Sequence, residues 1–127
     1  MRIRAMALLL TLFATMAAVV APAASANAAG TRQCASSANL GRICVTPQGS
    51  NGHYNAEYWN TTSNSRYVDF NLEARGIGTF GSGGAITVVA GGYRSYVFAI
   101  GRPDACVRLY LYDRTGVYAP VVTPYTC

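Results

Sequence analysis

A strict alternation of side chains over residues 66–74 constrains the fold of this chain more than any other feature. The apolar positions of the alternation are Val68, Phe70, Leu72 and Ala74. The intervening positions are Tyr67, Asp69, Asn71 and Glu73. Because successive side chains of a β-strand point to opposite faces, this period of two predicts a strand with one buried and one solvent-facing side. Antiparallel sheets accommodate such one-sided burial, so the segment favours an antiparallel architecture.

Shorter segments of similar character lie on both sides of this strand, at spacings of about ten residues and separated by Gly, Pro and Asn. The predicted strands are residues 42–46, 53–60, 66–74, 85–89, 93–100, 106–112 and 117–122. No stretch beyond the N-terminal segment has a helical period. The chain is therefore predicted to be all-β, as a small antiparallel β-sandwich of Ig-like or Greek-key type with six or seven strands.

The segments between these strands have their own signals. Residues 30–39 are small and aperiodic, and they are expected to form a loose entry segment. Pro47 is expected to end the first strand. Residues 75–84 hold five glycines and are expected to cross irregularly between two sheets. The pair Gly91-Gly92 indicates a tight turn between two neighbouring strands.

The N-terminal segment has the three-part layout of a secretory signal peptide. A positive head with Arg2 and Arg4 precedes an apolar run over residues 5–21 and a tail of small residues. Two A-x-A cleavage sites compete, at residues 24–26 and 26–28, and we favour cleavage after Ala28, which would leave residues 29–127 as a single domain. A transmembrane anchor is the alternative, because the run approaches the roughly 17 residues that can span a thin bilayer. The small-residue tail favours cleavage, so we expect a secreted, extracellular protein with no membrane attachment after cleavage.

All four cysteines lie beyond the signal segment, at Cys34, Cys44, Cys106 and Cys127. An even number in a small exported chain indicates two disulfides. We favour the local pairs Cys34–Cys44 and Cys106–Cys127, and the nested pairs Cys34–Cys127 and Cys44–Cys106 remain the alternative. Because there is no C-x-x-C and His53 is the single histidine, we expect no metal site, and nothing implies a cofactor.

The charge of the chain excludes one class of partner. All ten basic residues are arginine, and two of them belong to the signal segment. The remaining eight face five acidic residues, which leaves a net charge of about +3. No two arginines are adjacent, so the charge is too dilute for a nucleic-acid-binding surface.

Signals for catalysis are sparse. His53 and Glu57 would share one face of a strand, and with an arginine they would supply the base, acid and phosphate clamp of a small ribonuclease. The chain is similar to secreted microbial ribonucleases in size and tyrosine content, but no motif of theirs matches. Asp69 and Glu73 would lie about 13 Å apart along a strand, too far for a glycosidase pair. We therefore expect the protein not to be an enzyme.

Tyrosine and arginine are the conspicuous surface residues. All nine tyrosines lie beyond the signal segment, several of them next to arginine. These two residue types and tryptophan are enriched at binding hot spots. The candidate binding residues are Tyr58, Trp59, Tyr67, Arg94, Arg108, Tyr110 and Tyr112, with Trp59 as the principal anchor. Alternatively, cross-strand pairs of these residues only stabilise a sheet face, by roughly 0.2–1 kcal/mol each.

The general plan is similar to that of small bacterial secreted inhibitors of hydrolases, such as the tendamistat-type α-amylase inhibitors. Their Trp-Arg-Tyr triplet is absent, and the nearest sequence is Tyr58-Trp59-Asn60. The cysteine spacing also differs from theirs. The likeness is one of architecture, and no inhibitory residue carries over.

Three functional hypotheses follow. The first is a secreted, monomeric, non-catalytic binding protein, either an inhibitor of an extracellular hydrolase or a module for a cell-wall or surface ligand, with an extracellular protein or glycan as its partner. It predicts that Trp59 and the tyrosines share one exposed patch, and that Trp59→Ala abolishes binding without lowering stability. The second is a ribonuclease-like hydrolase that uses His53 and Glu57. The third is a structural envelope protein that self-associates through exposed strand edges.

Overall fold

The computed structural model describes residues 30–127, so the predicted signal peptide lies outside the described residues. Within that range the chain forms two antiparallel sheets and no helix. The strands are β1 (Gln33–Ser37), β2 (Gly41–Gln48), β3 (His53–Trp59), β4 (Arg66–Ala74), β5 (Gly78–Gly81), β6 (Ile86–Val88), β7 (Tyr93–Ala99), β8 (Val107–Asp113) and β9 (Val121–Val122). The predicted all-β antiparallel fold is confirmed, with nine strands instead of six or seven. None of these residues belongs to a helix long and apolar enough to cross a membrane.

The strands divide between two layers. Sheet A has the order β1-β2-β3-β7, and sheet B has the order β5-β4-β8-β9 with β6 also paired to β4. The chain passes from one sheet to the other after β3, after β6 and after β7. The side of each sheet that points away from the core is called its outer face.

The core lies between the inner faces of the two sheets. The alternation predicted over residues 66–74 is confirmed, because β4 spans Arg66–Ala74 and its alternating apolar residues are buried. Strand β8 repeats the pattern with Val107, Leu109 and Leu111, all with no exposed surface. The opposing residues of sheet A are Ile43, Val45, Tyr54, Ala56, Tyr58 and Phe98. Full burial of such side chains contributes about 1.5–3 kcal/mol each, so this layer dominates the stability of the fold.

Both favoured disulfides are present. Cys34 and Cys44 are directly opposed on β1 and β2, with their Cα atoms 4.1 Å apart. Cys106 precedes β8 and joins the last residue, Cys127, alongside a β-bridge between Val107 and Thr126. The first bridge closes the N-terminal hairpin of sheet A, and the second holds the C-terminus against sheet B.

Three sequence predictions about connecting segments are wrong. Residues 33–37 form β1, because pairing with β2 and the Cys34–Cys44 bridge hold this small-residue segment extended. Pro47 lies within β2, opposite Tyr54. Since β1 pairs with β2 only as far as Val45, one edge of β2 is open at the proline, and its missing N–H leaves no partner unpaired. Residues 78–81 form β5 beside β4, within the predicted irregular crossing.

The turn at Gly91-Gly92 does not close a hairpin, because β6 pairs with β4 while β7 pairs with β3. Asn60, only 1 % exposed, holds this crossing in place. Its side-chain nitrogen donates to the carbonyl oxygens of Val88 and Val89 at 2.9 and 3.1 Å. Its backbone also exchanges hydrogen bonds with the two glycines. The turn therefore links the two sheets.

Strand β9 is much shorter than the strand predicted over residues 117–122. The reason is that Asp113 holds residues 115–118 in a turn by hydrogen bonds. The carboxylate accepts hydrogen bonds from the backbone N–H groups of Thr115, Val117 and Tyr118 and from the Thr115 hydroxyl. Burial raises the pKa of Asp113, but these hydrogen bonds lower it by more, so the pKa lies below its ordinary value. Both oxygens of this carboxylate therefore accept hydrogen bonds from the turn that they stabilise.

Candidate functional site

Trp59 lies on the outer face of sheet A, within a group that we call the Trp59 cluster. Its members are Arg32, Arg42, Glu57, Trp59 and Tyr93. The rings of Trp59 and Tyr93, cross-strand neighbours on β3 and β7, have centroids 5.3 Å apart. The guanidinium carbons of Arg32 and Arg42 lie 5.6 and 5.4 Å from the Trp59 ring centroid. Cation–π contacts of this kind contribute about 0.5–1 kcal/mol each at exposed sites.

The polar groups of the Trp59 cluster contact one another. Glu57 forms an ion pair with Arg32, with 3.4 Å between nitrogen and oxygen. The same carboxylate accepts a hydrogen bond of 2.8 Å from the Tyr93 hydroxyl, and this bond is the main reason that the pKa of Tyr93 is raised. Arg42 also contacts the sulfur of Cys34 at 3.6 Å. The cluster is thus a network of mutual contacts, and Arg42 links it to the Cys34–Cys44 bridge.

Arg108, Tyr110 and Tyr112 lie side by side on the outer face of sheet B, as the sequence predicted for β8. Arg108 forms an ion pair with Glu73 across the strand pair, and its guanidinium lies over the rings of Tyr110 and Tyr125. Tyr110 donates a hydrogen bond to Glu73 at 3.1 Å. The hydrogen bond from Arg108 is the main cause that lowers the pKa of Glu73. Tyr112 takes part in none of these polar contacts, and it lies at the end of the row formed by Arg108, Tyr110 and Tyr112.

An open pocket of about 450 Å³ adjoins Tyr112 on the same face. We call it the β4 pocket, because Asp69 and Asn71 of β4 are among its lining residues. Its lining residues are Asp69, Asn71, Gly81, Ser82, Gly83, Gly84, Tyr112 and Arg114. The lining joins strands β4, β5 and β8 of sheet B to a glycine-rich loop and to the turn after β8.

The β4 pocket exists because one edge of β4 has an interrupted partner. Strand β5 pairs with residues 71–74 of β4, and β6 pairs with residues 66–68. Between β5 and β6 the chain leaves the edge as a short loop. Gly83 and Gly84 have φ values of 90° and 148°, a backbone region that side chains other than glycine rarely adopt. The loop therefore presents backbone and almost no side chain to the pocket.

Asp69 is the unusual residue of this pocket. It is only 6 % exposed, yet Oδ1 has no hydrogen-bond partner. Oδ2 forms an ion pair with Arg114 at 3.1 Å, and the Arg114 side chain is 53 % exposed. Burial raises the pKa of Asp69 above its ordinary value, and Arg114 offsets only part of that shift. Among residues 30–127 the only other buried side-chain polar atom without a partner is the hydroxyl of Thr126.

Tyr112 forms the aromatic wall of the pocket. It pairs directly with Asp69 across the β4–β8 ladder, and Tyr110 pairs with Asn71. The rings of Tyr110 and Tyr112 are stacked with centroids 5.6 Å apart and planes 5° from parallel. Because Tyr110 is fixed by Glu73 and Arg108, the Tyr112 ring is supported on its protein side.

The structure distributes the sequence-predicted binding residues over three locations. Arg108, Tyr110 and Tyr112 lie together on the outer face of sheet B, and Tyr67, 48 % exposed, lies further along the same face. Trp59 lies on the outer face of sheet A. Arg94 is exposed on β7, opposite Tyr58 and on the other side of the strand from Tyr93. The predicted single patch of Trp59 and the tyrosines is therefore not formed.

Tyr58 requires a correction, because it has no exposed surface. Its hydroxyl donates to the carbonyl of Leu40, and burial is the main reason that its pKa is raised to about 12. Position 58 alternates with Trp59, so the two side chains point to opposite faces of β3. Tyr58 is a core residue with no surface to offer a partner.

The candidate acid–base pair is not assembled. His53 and Glu57 are four residues apart on β3, which separates their Cα atoms by about 13 Å. Glu57 contacts Arg32 and Tyr93, and neither His53 nor Glu57 lines the β4 pocket. Within residues 30–127 no three His, Cys, Asp or Glu side chains are placed to hold a metal ion.

Sequence reasoning did not identify Asp69, Asn71, Arg114 and the loop at residues 81–84 as a site. The available signal for a site was the glycine-rich segment 75–84, which follows a strand with one polar face, β4. The pairing of Asp69 with Tyr112 depends on the register of two strands separated by more than thirty residues, which composition and period do not specify.

Comparison with protein-family models, curated proteins and solved structures found no match to this chain. The geometry of the chain itself therefore carries the functional argument. It contrasts a closed network around Trp59 with an open pocket around Asp69.

Proposed function

We propose that this protein is an exported, non-catalytic binding protein and that the β4 pocket is its binding site. The observation that carries the proposal is Asp69, a 6 % exposed carboxylate in the pocket whose Oδ1 lacks a partner. A buried charged group with incomplete hydrogen bonding lowers stability, commonly by about 1–3 kcal/mol or more. Buried polar groups that lack partners, in a fold whose other buried groups are paired, are typical of functional sites.

The chemistry of the lining supports binding over catalysis. The lining includes two hydroxyl side chains, Ser82 and Tyr112, and no histidine, lysine or cysteine. Nucleophilic catalysis requires an activating base within hydrogen-bond reach, and neither hydroxyl forms a hydrogen bond to Asp69, the one carboxylate of the lining. Asn71, Tyr112 and Arg114 are instead residue types that orient a ligand through hydrogen bonds and ring contacts.

Export is supported by two features. The two disulfides are consistent with an extracellular protein, since such bonds persist in oxidising compartments. Residues 1–28 have the pattern of a cleavable signal peptide. Expression of the full chain in an exporting bacterial host tests this part directly. We expect protein in the medium whose intact mass corresponds to residues 29–127 with four oxidised cysteines, and an uncleaved chain retained in cells would contradict it.

The binding function is tested by blocking the pocket without straining the fold. Gly81 lies on β5 beside Asn71 with an ordinary φ, and an added Cβ would lie 3.7 Å from the Asn71 side-chain oxygen. Gly81→Val would therefore place a branched side chain in the pocket mouth. Thr79→Val is the matched control, because Thr79 occupies the same face of the same strand outside the pocket.

The exported wild-type protein and both variants would be immobilised and exposed to solubilised envelope fractions and to culture medium. We expect a retained component that binds wild type and Thr79→Val and is lost with Gly81→Val. Retention that is unaffected by Gly81→Val, or no specific retention by the wild type, would contradict the proposal. Far-ultraviolet circular dichroism of each variant confirms that the fold is intact.

A further inference from the structure

We infer that the ligand of the β4 pocket is a neutral saccharide, held by the Asp69 carboxylate and the Asn71 amide and stacked on the ring of Tyr112. This inference rests on the proposed function, and it adds the chemical class of the ligand. The charge, hydrogen-bonding capacity and shape of the pocket support it.

The charge of the pocket favours an uncharged ligand. Its lining has one acidic residue, Asp69, and one basic residue, Arg114, and these two form an ion pair. The net formal charge of the lining is therefore zero. Arg114 would attract an anion that Asp69 repels, and Asp69 would attract a cation that Arg114 repels, so the lining gives neither kind of ion a net electrostatic preference.

The hydrogen-bonding groups match a ligand with several hydroxyl groups. Oδ1 of Asp69 has no partner and almost no exposed surface, so a ligand donor reaches it only after a neighbouring side chain moves, and an ionised carboxylate only accepts hydrogen bonds. Asn71 adds one acceptor and two donors beside it. Because Arg114 is 53 % exposed, its side chain can turn from Asp69 as a ligand enters. Neighbouring hydroxyls, which both donate and accept, satisfy this set where apolar ligands cannot.

The shape of the pocket matches a flat ring. Tyr112 supplies an aromatic face that is fixed by its parallel contact with Tyr110 at 5.6 Å. The face of an aromatic ring carries negative charge density, which attracts the polarised C–H groups of a sugar ring. The glycine loop at residues 81–84 also lines the pocket, and its near absence of side chains permits close approach of a ligand to the backbone. The volume of about 450 Å³ lies within the range of small-ligand pockets.

Isothermal titration calorimetry with defined probes tests this inference. The neutral probes are oligosaccharides of glucose, xylose, mannose and N-acetylglucosamine, two to four rings long. The acidic probes are oligogalacturonate, inorganic phosphate and acetate. We expect at least one neutral oligosaccharide to bind the wild-type protein, with no binding of phosphate or acetate.

Four variants locate the binding. Tyr112→Ala and Gly81→Val are each expected to weaken the affinity for that oligosaccharide by about tenfold or more, which corresponds to about 1.4 kcal/mol. Tyr96→Ala removes a 39 % exposed tyrosine from sheet A, and Thr79→Val alters β5 outside the pocket. Both controls are expected to leave the affinity within about twofold of wild type.

The outcomes separate the ligand class from the binding function. Binding of the acidic probes alone, or of no probe, would overturn the saccharide inference. In that case an envelope component retained by wild type and lost with Gly81→Val would still support a binding pocket. If neither saccharide binding nor envelope retention depends on Gly81, both proposals are overturned.

Discussion

The outer faces of the two sheets use the same residue types in opposite ways. On sheet A, Glu57 contacts Arg32 and Tyr93, and two arginines flank the ring of Trp59. On sheet B, Tyr112 is supported by Tyr110 but borders a pocket where the Asp69 carboxylate has a single ionic partner. The charged and aromatic groups around Trp59 contact one another, whereas Asp69 keeps one carboxylate oxygen without a partner.

This difference shows why a display of tyrosine and arginine is an ambiguous signal. The same pairs can stabilise a sheet face or form a binding surface, and the distinction depends on whether each polar group has a partner. Trp59 is a residue type that is common at binding hot spots, but its ring contacts Tyr93, Arg32 and Arg42 of the same chain. Asp69 has an ordinary position in the alternation of β4 and lacks the contacts that a buried carboxylate requires.

The largest expected effect concerns the structural role of sheet A. The double substitution Cys34→Ser, Cys44→Ser removes a bridge that closes a short loop beneath the Trp59 cluster. We expect a loss of about 3 kcal/mol in the free energy of unfolding, measured by urea titration. Saccharide affinity in the folded fraction should not change. An unchanged urea midpoint would show that this face is not maintained by its bridge.

The variant Trp59→Ala distinguishes a stabilising role of Trp59 from a role as a binding anchor. The variant removes ring contacts with Tyr93, Arg32 and Arg42, so we expect a loss of about 1–3 kcal/mol in stability with saccharide affinity unchanged. The hypothesis of Trp59 as an anchor predicts the reverse, with binding lost and stability kept. Urea unfolding and calorimetry on the same preparation distinguish them, and Tyr96→Ala serves as the control for loss of an exposed aromatic ring.

The smallest effect concerns the support of Tyr112. Tyr110→Leu preserves the apolar volume but removes the stacked ring and the hydrogen bond to Glu73. Because Tyr112 itself remains, we expect saccharide affinity to fall by only about twofold to fivefold, or roughly 0.4–1 kcal/mol. A loss equal to that of Tyr112→Ala would indicate that Tyr110 contacts the ligand directly.

Much of the fold follows from local patterns, and the site does not. The alternation over residues 66–74 defines β4 at both ends because its apolar residues follow the period of two and are all buried, although Asp69 on the other face is buried as well. The segment that forms β1 carries no such period, since small residues there are held by the bridge and by pairing. The Gly91-Gly92 turn resembles a hairpin in sequence, and only the contacts of Asn60 show that it joins two sheets.

The β4 pocket depends on information that is not local. It requires β8 to align Tyr112 with Asp69, and it requires β5 and β6 to share one edge of β4 with a glycine loop between them. Each glycine signals a turn, but nothing in the run specifies which strand it borders. The proposed binding site therefore becomes visible only from the register of sheet B.

Asp69→Asn provides the most direct test, because the account predicts opposite effects on stability and binding. Burial raises the pKa of Asp69, so the native state binds a proton more tightly than the unfolded state does. The contribution of Asp69 to the stability of the fold is therefore greatest below the ordinary aspartate pKa. It falls as the pH rises from that value through the raised pKa of the native state. The neutral amide avoids this cost, so the variant should be more stable than wild type at neutral pH, with the difference disappearing in acid.

Thermal unfolding at several pH values and saccharide titration at neutral pH, both on Asp69→Asn, measure the two effects. The account predicts a higher Tm at neutral pH together with an affinity reduced by about tenfold or more. An unchanged affinity, or a lower Tm at neutral pH, would contradict the claim that Asp69 is retained for a ligand at the expense of the fold.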